Sequence, residues 1–283
     1  MGDELVKRLA LDSLPDLTGR RVGELADLTG RVAAVTGGGG RILGGPTVDR
    51  LASQGARVAV VDHNEKAAER SAEEARSRWG VKARPFIGDV SSWADCHRLV
   101  SEISSAFDRL DVWVNNVGGA GYHGKFIEME ESEIRKVLER NLVSATYSCH
   151  AAARQMVDQG SGRIINVASE GGKIALDNIV FYNACKSAVI GLTRNLAREL
   201  RGQAVSVVAV CPGIMAGPDA VRSMRELDDS GSRAQTLLQS ISRTSMTRAS
   251  VPEEVANVIA FLASDAATYI NGTAVSVGGG LAD

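Results

Sequence analysis

Short apolar runs alternate along the chain with longer, charged, amphipathic stretches. RVAAVTG (31–37), RVAVVD (57–62), DVWVNNVG (111–118), GRIINVAS (162–169), AVSVVAVCPG (204–213) and NGTAVSVGGG (271–280) have cores of nearly continuous Val, Ile and Ala. Strands buried on both faces have this composition, whereas half-exposed strands alternate apolar with polar. Between them, 64–79, 91–107, 130–158, 182–201 and 252–264 carry the mixed pattern of helices. Strand–helix alternation predicts parallel βαβ units and an α/β fold, a Rossmann-like doubly wound parallel sheet. No turn-rich linker splits the chain before residue 215, so 27–283 is expected to be a single domain.

Two segments fall outside this rhythm. Residues 1–26 form an N-terminal extension, with a short helix expected over 3–11, that the sheet does not need. It is expected to pack on a neighbouring subunit or fray, and not to bind cofactor. Residues 215–250 are polar and irregular. Long excursions at the carboxyl ends of strands usually cover an active site.

Composition narrows the function classes. Lys and Arg number 32 against 34 Asp and Glu, a net charge of −2, which gives no basic excess for nucleic acid. No run of about 18 apolar residues offers a membrane span. The N-terminal MGDELVKRLALDSLPDL has no apolar core of a secretory signal and no myristoylation pattern. Cys96, Cys149, Cys185 and Cys211 form no CxxC pair, which suits reduced, buried thiols and a cytoplasmic location. His63, His97, His123 and His150 lack metal-ligand spacing, and no metal site is expected.

Chemistry enters with TGGGGRILGG, residues 36–45, between the first strand and a helix. Glycines there permit a tight turn and close approach of backbone N–H groups to a pyrophosphate at a helix N-terminus. The alternative is a merely flexible turn. Gly37, Gly40, Arg41 and Leu43 are the loop positions expected to face a dinucleotide. RVAVVD ends in Asp62, 18 residues beyond Gly44. An acid at that strand end can accept both ribose hydroxyls of an adenosine and repel a 2′-phosphate. It could equally cap the helix over 64–79.

Tyr182 and Lys186 stand four apart, on one face of a helix. A free tyrosine is a poor base at neutral pH, and a neighbouring cation is expected to lower its pKa. The phenol can then exchange a proton with a hydroxyl or carbonyl oxygen. Ser169 ends a buried strand 13 residues earlier and can hold the same oxygen.

In order and spacing these pieces resemble the single-domain short-chain dehydrogenase/reductases over residues 28–281. They are the TG of the glycine loop, Asp62, Asp89-Val90, NNVG at 115–118, Asn141 in ERNL, Ser169, Tyr182, Lys186, PG at 212–213 and the terminal VGGG. The resemblance implies an NAD-dependent oxidoreductase that interconverts a secondary alcohol and a ketone. Tyr182 would be the acid/base, with Lys186 lowering its pKa and binding the nicotinamide ribose. Ser169 would bind the substrate oxygen, and Asn141 would hold a water relaying protons from Lys186. Asp89 and Val90 would border the adenine, Asn116 the adenosine ribose, Gly118 the cofactor, and Pro212, Gly213 and Met215 the nicotinamide. A homotetramer pairing the helices over 130–158 and 182–201 is implied, and a small-molecule alcohol or ketone as substrate.

Departures from the family pattern are visible. Thr36 to Gly44 spans nine positions where the family has eight, with Arg41 and Ile42 in place of its middle glycine. NNAG is NNVG here, and Gly217 stands where a Thr is frequent. The altered loop is the one feature favouring a non-catalytic dinucleotide-binding protein. An epimerase or dehydratase on the same fold would usually carry a larger C-terminal substrate domain. Glu170 either adds a carboxylate to the substrate pocket or is a solvated loop acid. Tyr122 and His123 are candidate pocket residues. Arg222, Arg225, Arg233 and Arg243 either meet an anionic substrate or lie on solvated faces. Cys185 is expected to pack. Asp62 and Arg41 oppose each other over cofactor choice; Asp62, on a rigid strand end, predicts NAD over NADP by about tenfold or more.

Overall fold

The structure, a computed structural model, describes residues 16–217 and 241–281. The expected helix over 3–11 and most of the excursion, with Arg222, Arg225 and Arg233, lie outside these residues. Seven parallel strands form one sheet: β1 (Val32–Thr36), β2 (Arg57–Asp62), β3 (Ala83–Ile87), β4 (Val112–Asn115), β5 (Gly162–Val167), β6 (Val205–Pro212) and β7 (Ala274–Val277), in the order β3-β2-β1-β4-β5-β6-β7. The helices are α1 (Gly44–Ser53), α2 (Glu65–Trp79), α3 (Trp93–Phe107), α4 (Glu131–Leu138), α5 (Ser144–Gln159), α6 (Val180–Glu199) and α7 (Pro252–Ala263).

Continuous apolar strands supply two cores at once, because successive side chains point to opposite faces. Ala33, Val35, Val58, Val60, Val112 and Val114 join one core with α1, α2 and α7. Val32, Ala34, Ala59, Val61 and Trp113 join the other with α3 and α5. The helices stop where the chain chemistry dictates. Asn64 caps α2 by accepting from the Ala67 N–H at 3.1 Å, and Ser92 caps α3. Gly80 and Gly160 end α2 and α5 in the left-handed region, at φ 68° and 78°.

Several expectations are corrected. β3 was not expected from the sequence: ARPFI lacks a continuous apolar run, being an edge strand that exposes Arg84 and tolerates Pro85 because one side needs no partner. The single helix over 130–158 is α4 and α5 joined by a π-helical turn, Glu139–Val143. The strand over 271–280 shortens to four residues, its glycines turning at φ 61° and 75° for Gly279 and Gly280. Of the N-terminal extension, the helical turn Val22–Leu25 packs on Asp265–Ala267.

Candidate active site

Parallel strands place all their carboxyl ends on one edge. The order reverses between β1 and β4, the switch point where open α/β sheets bind ligands. At that point Thr36 ties the two strand ends together. Its hydroxyl donates to the Val114 carbonyl at 3.3 Å and accepts from the N–H groups of Asn116 (2.9 Å) and Val117 (3.2 Å). The Asn116 amide donates back to the Thr36 carbonyl at 2.9 Å.

The glycine loop folds tightly against this edge. A methyl at Gly44 would run into the Gly37 carbonyl, and one at Gly39 would lie 2.6 Å from the Ala67 backbone. Only glycine allows these approaches. The N–H groups of Arg41, Ile42 and Leu43, ahead of α1, find no acceptor among the described residues. Arg41 is exposed, while the Leu43 side chain is buried in the core, so of Leu43 only the main chain faces the cleft. Gly40 accepts from Gly45 and donates to the Gly37 carbonyl.

Asp62 is buried at the end of β2, and its role is not to cap α2, which Asn64 does. One carboxylate oxygen accepts from the Gly39 N–H and the other from the Asn64 N–H, both at 3.0 Å. Oδ1 also faces His63 Nδ1 at 3.4 Å, while Oδ2 keeps a second lone-pair site. Arg70, which the sequence did not single out, donates to the Gly39 carbonyl at 2.6 Å. Asp89 follows β3 alongside: the Gly88 N–H meets the Asp62 carbonyl at 3.2 Å, and Val90 is buried.

The residues expected to carry proton transfer converge on β5 and α6. Tyr182 and Lys186 lie one turn apart, with Nζ 5.7 Å from the phenol ring centre. Lys186 is buried and donates to the Val167 carbonyl at 2.8 Å; burial lowers its pKa to about 8. The expected lowering of the Tyr182 pKa is not found. Burial pushes the phenol up, and the neighbouring Ser169 hydroxyl only partly offsets it. Ser169 itself is held by the Gly171 N–H, 3.1 Å from its hydroxyl. Asn141 sits in the π-helical turn, a distortion common at functional sites. Its side chain accepts from the Gly119 N–H and donates to the carbonyls of Gly119 and Val137, each at 2.9 Å. That leaves the amide engaged, so a water relay would fall to its main chain. Gly118 lets these groups close up: a methyl there would lie 2.7 Å from Lys186 Nζ and 3.0 Å from Asn141 Oδ1.

Pro212 and Gly213 follow, at the end of β6, with the Gly213 N–H bonded to the Val277 carbonyl at 3.1 Å. Met215 and Ser250, the two ends of the excursion, form a parallel β-bridge. Tyr122 folds back onto its own loop, its hydroxyl on the Lys125 carbonyl at 3.2 Å, and His123 is exposed. Arg243 meets Asp177 at 3.7 Å in an exposed pair, the solvated alternative. All four cysteines are free and buried. Cys211 was not linked to the site from sequence. Its thiol, pushed up to about 11 by burial, is electrostatically coupled to Lys186, Lys173 and Glu170. Only the fold, which sets β6 beside β5, reveals this.

Comparison with known proteins adds relatives to this geometry. A family model described as enoyl-(acyl carrier protein) reductase matches residues 41–282. The chain is 34% identical over 253 residues to levodione reductase of Leifsonia aquatica, covering 89% of this chain and 94% of that one. NAD+-bound xylitol dehydrogenase has a similar structure, with a TM-score of 0.82 at 31% identity over 89% of this chain and 99% of that one. So does the NADPH-dependent 3-quinuclidinone reductase of Rhodotorula rubra, with a TM-score of 0.82 at 28% identity over 95% and 97%.

Proposed function

The chain belongs to the short-chain dehydrogenase/reductase family of oxidoreductases, and from that premise we propose that it interconverts a secondary alcohol and a ketone with NAD. The observation that carries this reading is the convergence of Ser169, Tyr182, Lys186 and Asn141 beside the switch-point cleft. A nicotinamide dinucleotide, when bound, supplies the hydride donor or acceptor.

The residues present suit that cofactor. The N–H groups of Arg41 to Leu43, without acceptors among the described residues, suit a pyrophosphate. The Asp62 carboxylate suits ribose hydroxyls and its charge disfavours a 2′-phosphate, with the exposed Arg41 as a counterweight. Asp89, Val90, Asn116 and Gly118 border the cleft, and Pro212, Gly213 and Met215 close its far side. Tyr182 moves the proton at its hydroxyl, Ser169 donates to the substrate oxygen, and the Lys186 cation stabilises the phenolate formed when Tyr182 gives up its proton. Asn141 pins Gly119 beside Lys186. Names among the relatives support small alcohol and ketone substrates: levodione, xylitol and threitol.

The test is to follow reduced-nicotinamide absorbance with NAD and NADP against secondary alcohols and ketones. Turnover with NAD preferred by about tenfold supports the reading. Equal kcat/KM with NADP would show that Arg41, not Asp62, governs the cofactor. Tight NAD binding with no turnover on any substrate would favour a binding protein.

A further inference from the structure

Ser169 leads into a 3-10 turn, Glu170–Gly172, that packs against α6. The sequence leaves Glu170 open between a pocket carboxylate and a solvated loop acid. The structure makes it neither, because the side chain is buried against Gly278, just beyond β7.

The turn meets the helix main chain to main chain at Gly172. A methyl on Gly172 would lie 2.8 Å from the Lys186 carbonyl carbon, 2.9 Å from the Lys186 carbonyl oxygen and 3.0 Å from Ile190 Cδ1. Its φ is not in the left-handed region, so the backbone there admits alanine and only space opposes it. Hydrogen bonds hold the same seam. The Ser187 hydroxyl donates to the Gly172 carbonyl at 2.9 Å, and the Asn183 amide donates to the Leu176 carbonyl at 2.8 Å. From the strand before the turn, the Val167 carbonyl accepts from Lys186 Nζ at 2.8 Å.

The turn has no room to retreat from the helix. On its other side Lys173 donates to the Ala274 carbonyl (2.8 Å) and the Ser276 hydroxyl (2.6 Å). Gly278 closes in there as well: a methyl on it would come 2.6 Å from Glu170 Cγ. The turn is therefore wedged between β7 and α6, and its thickness at Gly172 decides how far Ser169 stands from the part of α6 that carries Tyr182 and Lys186. Non-bonded carbons rest about 3.5 Å apart, so a methyl at Gly172 would part turn and helix by roughly 0.7 Å. Displacements of that order are costly at a reacting centre, where about 1 Å can lose 10²-fold in rate.

We propose that Gly172 is a positioning residue: by seating the turn after Ser169 directly on the Lys186 main chain, it sets the separation of the Ser169 and Tyr182 hydroxyls and so the rate of proton transfer. This rests on the oxidoreductase reading above.

The test compares the wild type with Gly172→Ala, with Ser187→Ala, and with Gly172→Ala combined with Ile190→Val. Crystal structures give the Ser169–Tyr182 hydroxyl separation. Turnover of butan-2-ol and cyclohexanol at saturating NAD gives kcat and KM. In Gly172→Ala the separation should grow by about 0.5 Å or more. Its kcat should fall about tenfold or more. kcat/KM should fall with it, as for an interaction made in the transition state. Ile190→Val removes Cδ1 but leaves the main-chain contact, so the double variant should stay slow. Recovery of wild-type kcat in the double variant would make side-chain crowding the cause and overturn the proposal. An unchanged separation in Gly172→Ala overturns it too, as does an unchanged kcat. Should Gly172→Ala fail to fold, Ser187→Ala decides. Losing the bond to the Gly172 carbonyl should lengthen the separation and lower kcat several-fold, and no change in the separation overturns the proposal. A lengthened separation in a variant of a protein that turns over no alcohol or ketone keeps the Gly172 assignment and overturns the proposed reaction.

Discussion

At the scale of single residues, burial outweighs proximity. Tyr182 and Lys186 are neighbours, yet burial raises the pKa of one and lowers that of the other. Lys186, at about 8, releases its proton in the folded chain while the unfolded chain still holds it up to the ordinary value of 10.5. Stability therefore carries the full cost below pH 8 and recovers as pH rises from 8 to 10.5. Lys186→Met should remove that rise, worth roughly 3 kcal/mol at most, because each tenfold change in proton affinity is about 1.4 kcal/mol. Denaturant unfolding across this range checks it, and an unchanged pH slope would show that Lys186 is not the group responsible. Asp62 makes a second residue-scale case. Asp62→Ala removes the fixed charge that disfavours a 2′-phosphate and frees the Gly39 N–H. The NAD preference in kcat/KM should narrow from about tenfold toward parity; a preference left intact would move the selectivity elsewhere.

At the scale of elements, the legible parts were those where one physical signal dominates. Buried strands announced themselves because both faces need apolar side chains, as in RVAVVD, observed as Arg57–Asp62. β3 stayed hidden because an edge strand needs only half that signal. The π-helical turn around Asn141 was hidden too, since an extra residue in a helix leaves the periodicity of 130–158 almost unchanged. Asp62 reads from the sequence either as a cap or as a ribose acceptor, and the structure gives the cap of α2 to Asn64. The burial of Glu170 rests in part on Gly278, far along the chain, which no local pattern reports. The glycine loop was legible in kind but not in its closure on Gly37. Gly44→Ala would force a methyl into the Gly37 carbonyl. It should cost about 1–3 kcal/mol of stability, the range for overpacking, and weaken NAD binding together with it. Thermal unfolding with and without NAD tests this; a fully stable variant with unchanged NAD affinity would contradict the packing described.

At the scale of the whole molecule, the sheet sets the site, and an assembly would complete the surface. Trp93 is half exposed on α3, with the tilted rings of His97 and His150 centred 4.7 and 4.5 Å away and Tyr147 of α5 edge-on. Aromatic clusters of this kind are what interfaces bury. The homotetramer that the resemblance implies, pairing the segments 130–158 (α4 and α5) and 182–201 (α6) between copies, would place that cluster beside an interface. Sedimentation equilibrium should give four copies of the chain, and a monomer at micromolar concentration would contradict the assembly.

The account turns on Tyr182 as the group that moves the proton. Tyr182→Phe keeps the ring and removes only the hydroxyl, so fold and NAD affinity should persist. The most direct measurement is kcat for the wild type and Tyr182→Phe with the same alcohol at saturating NAD. A fall of about 10²–10⁴-fold is expected from losing a general acid/base. Turnover close to wild type in the Phe variant would contradict the mechanism.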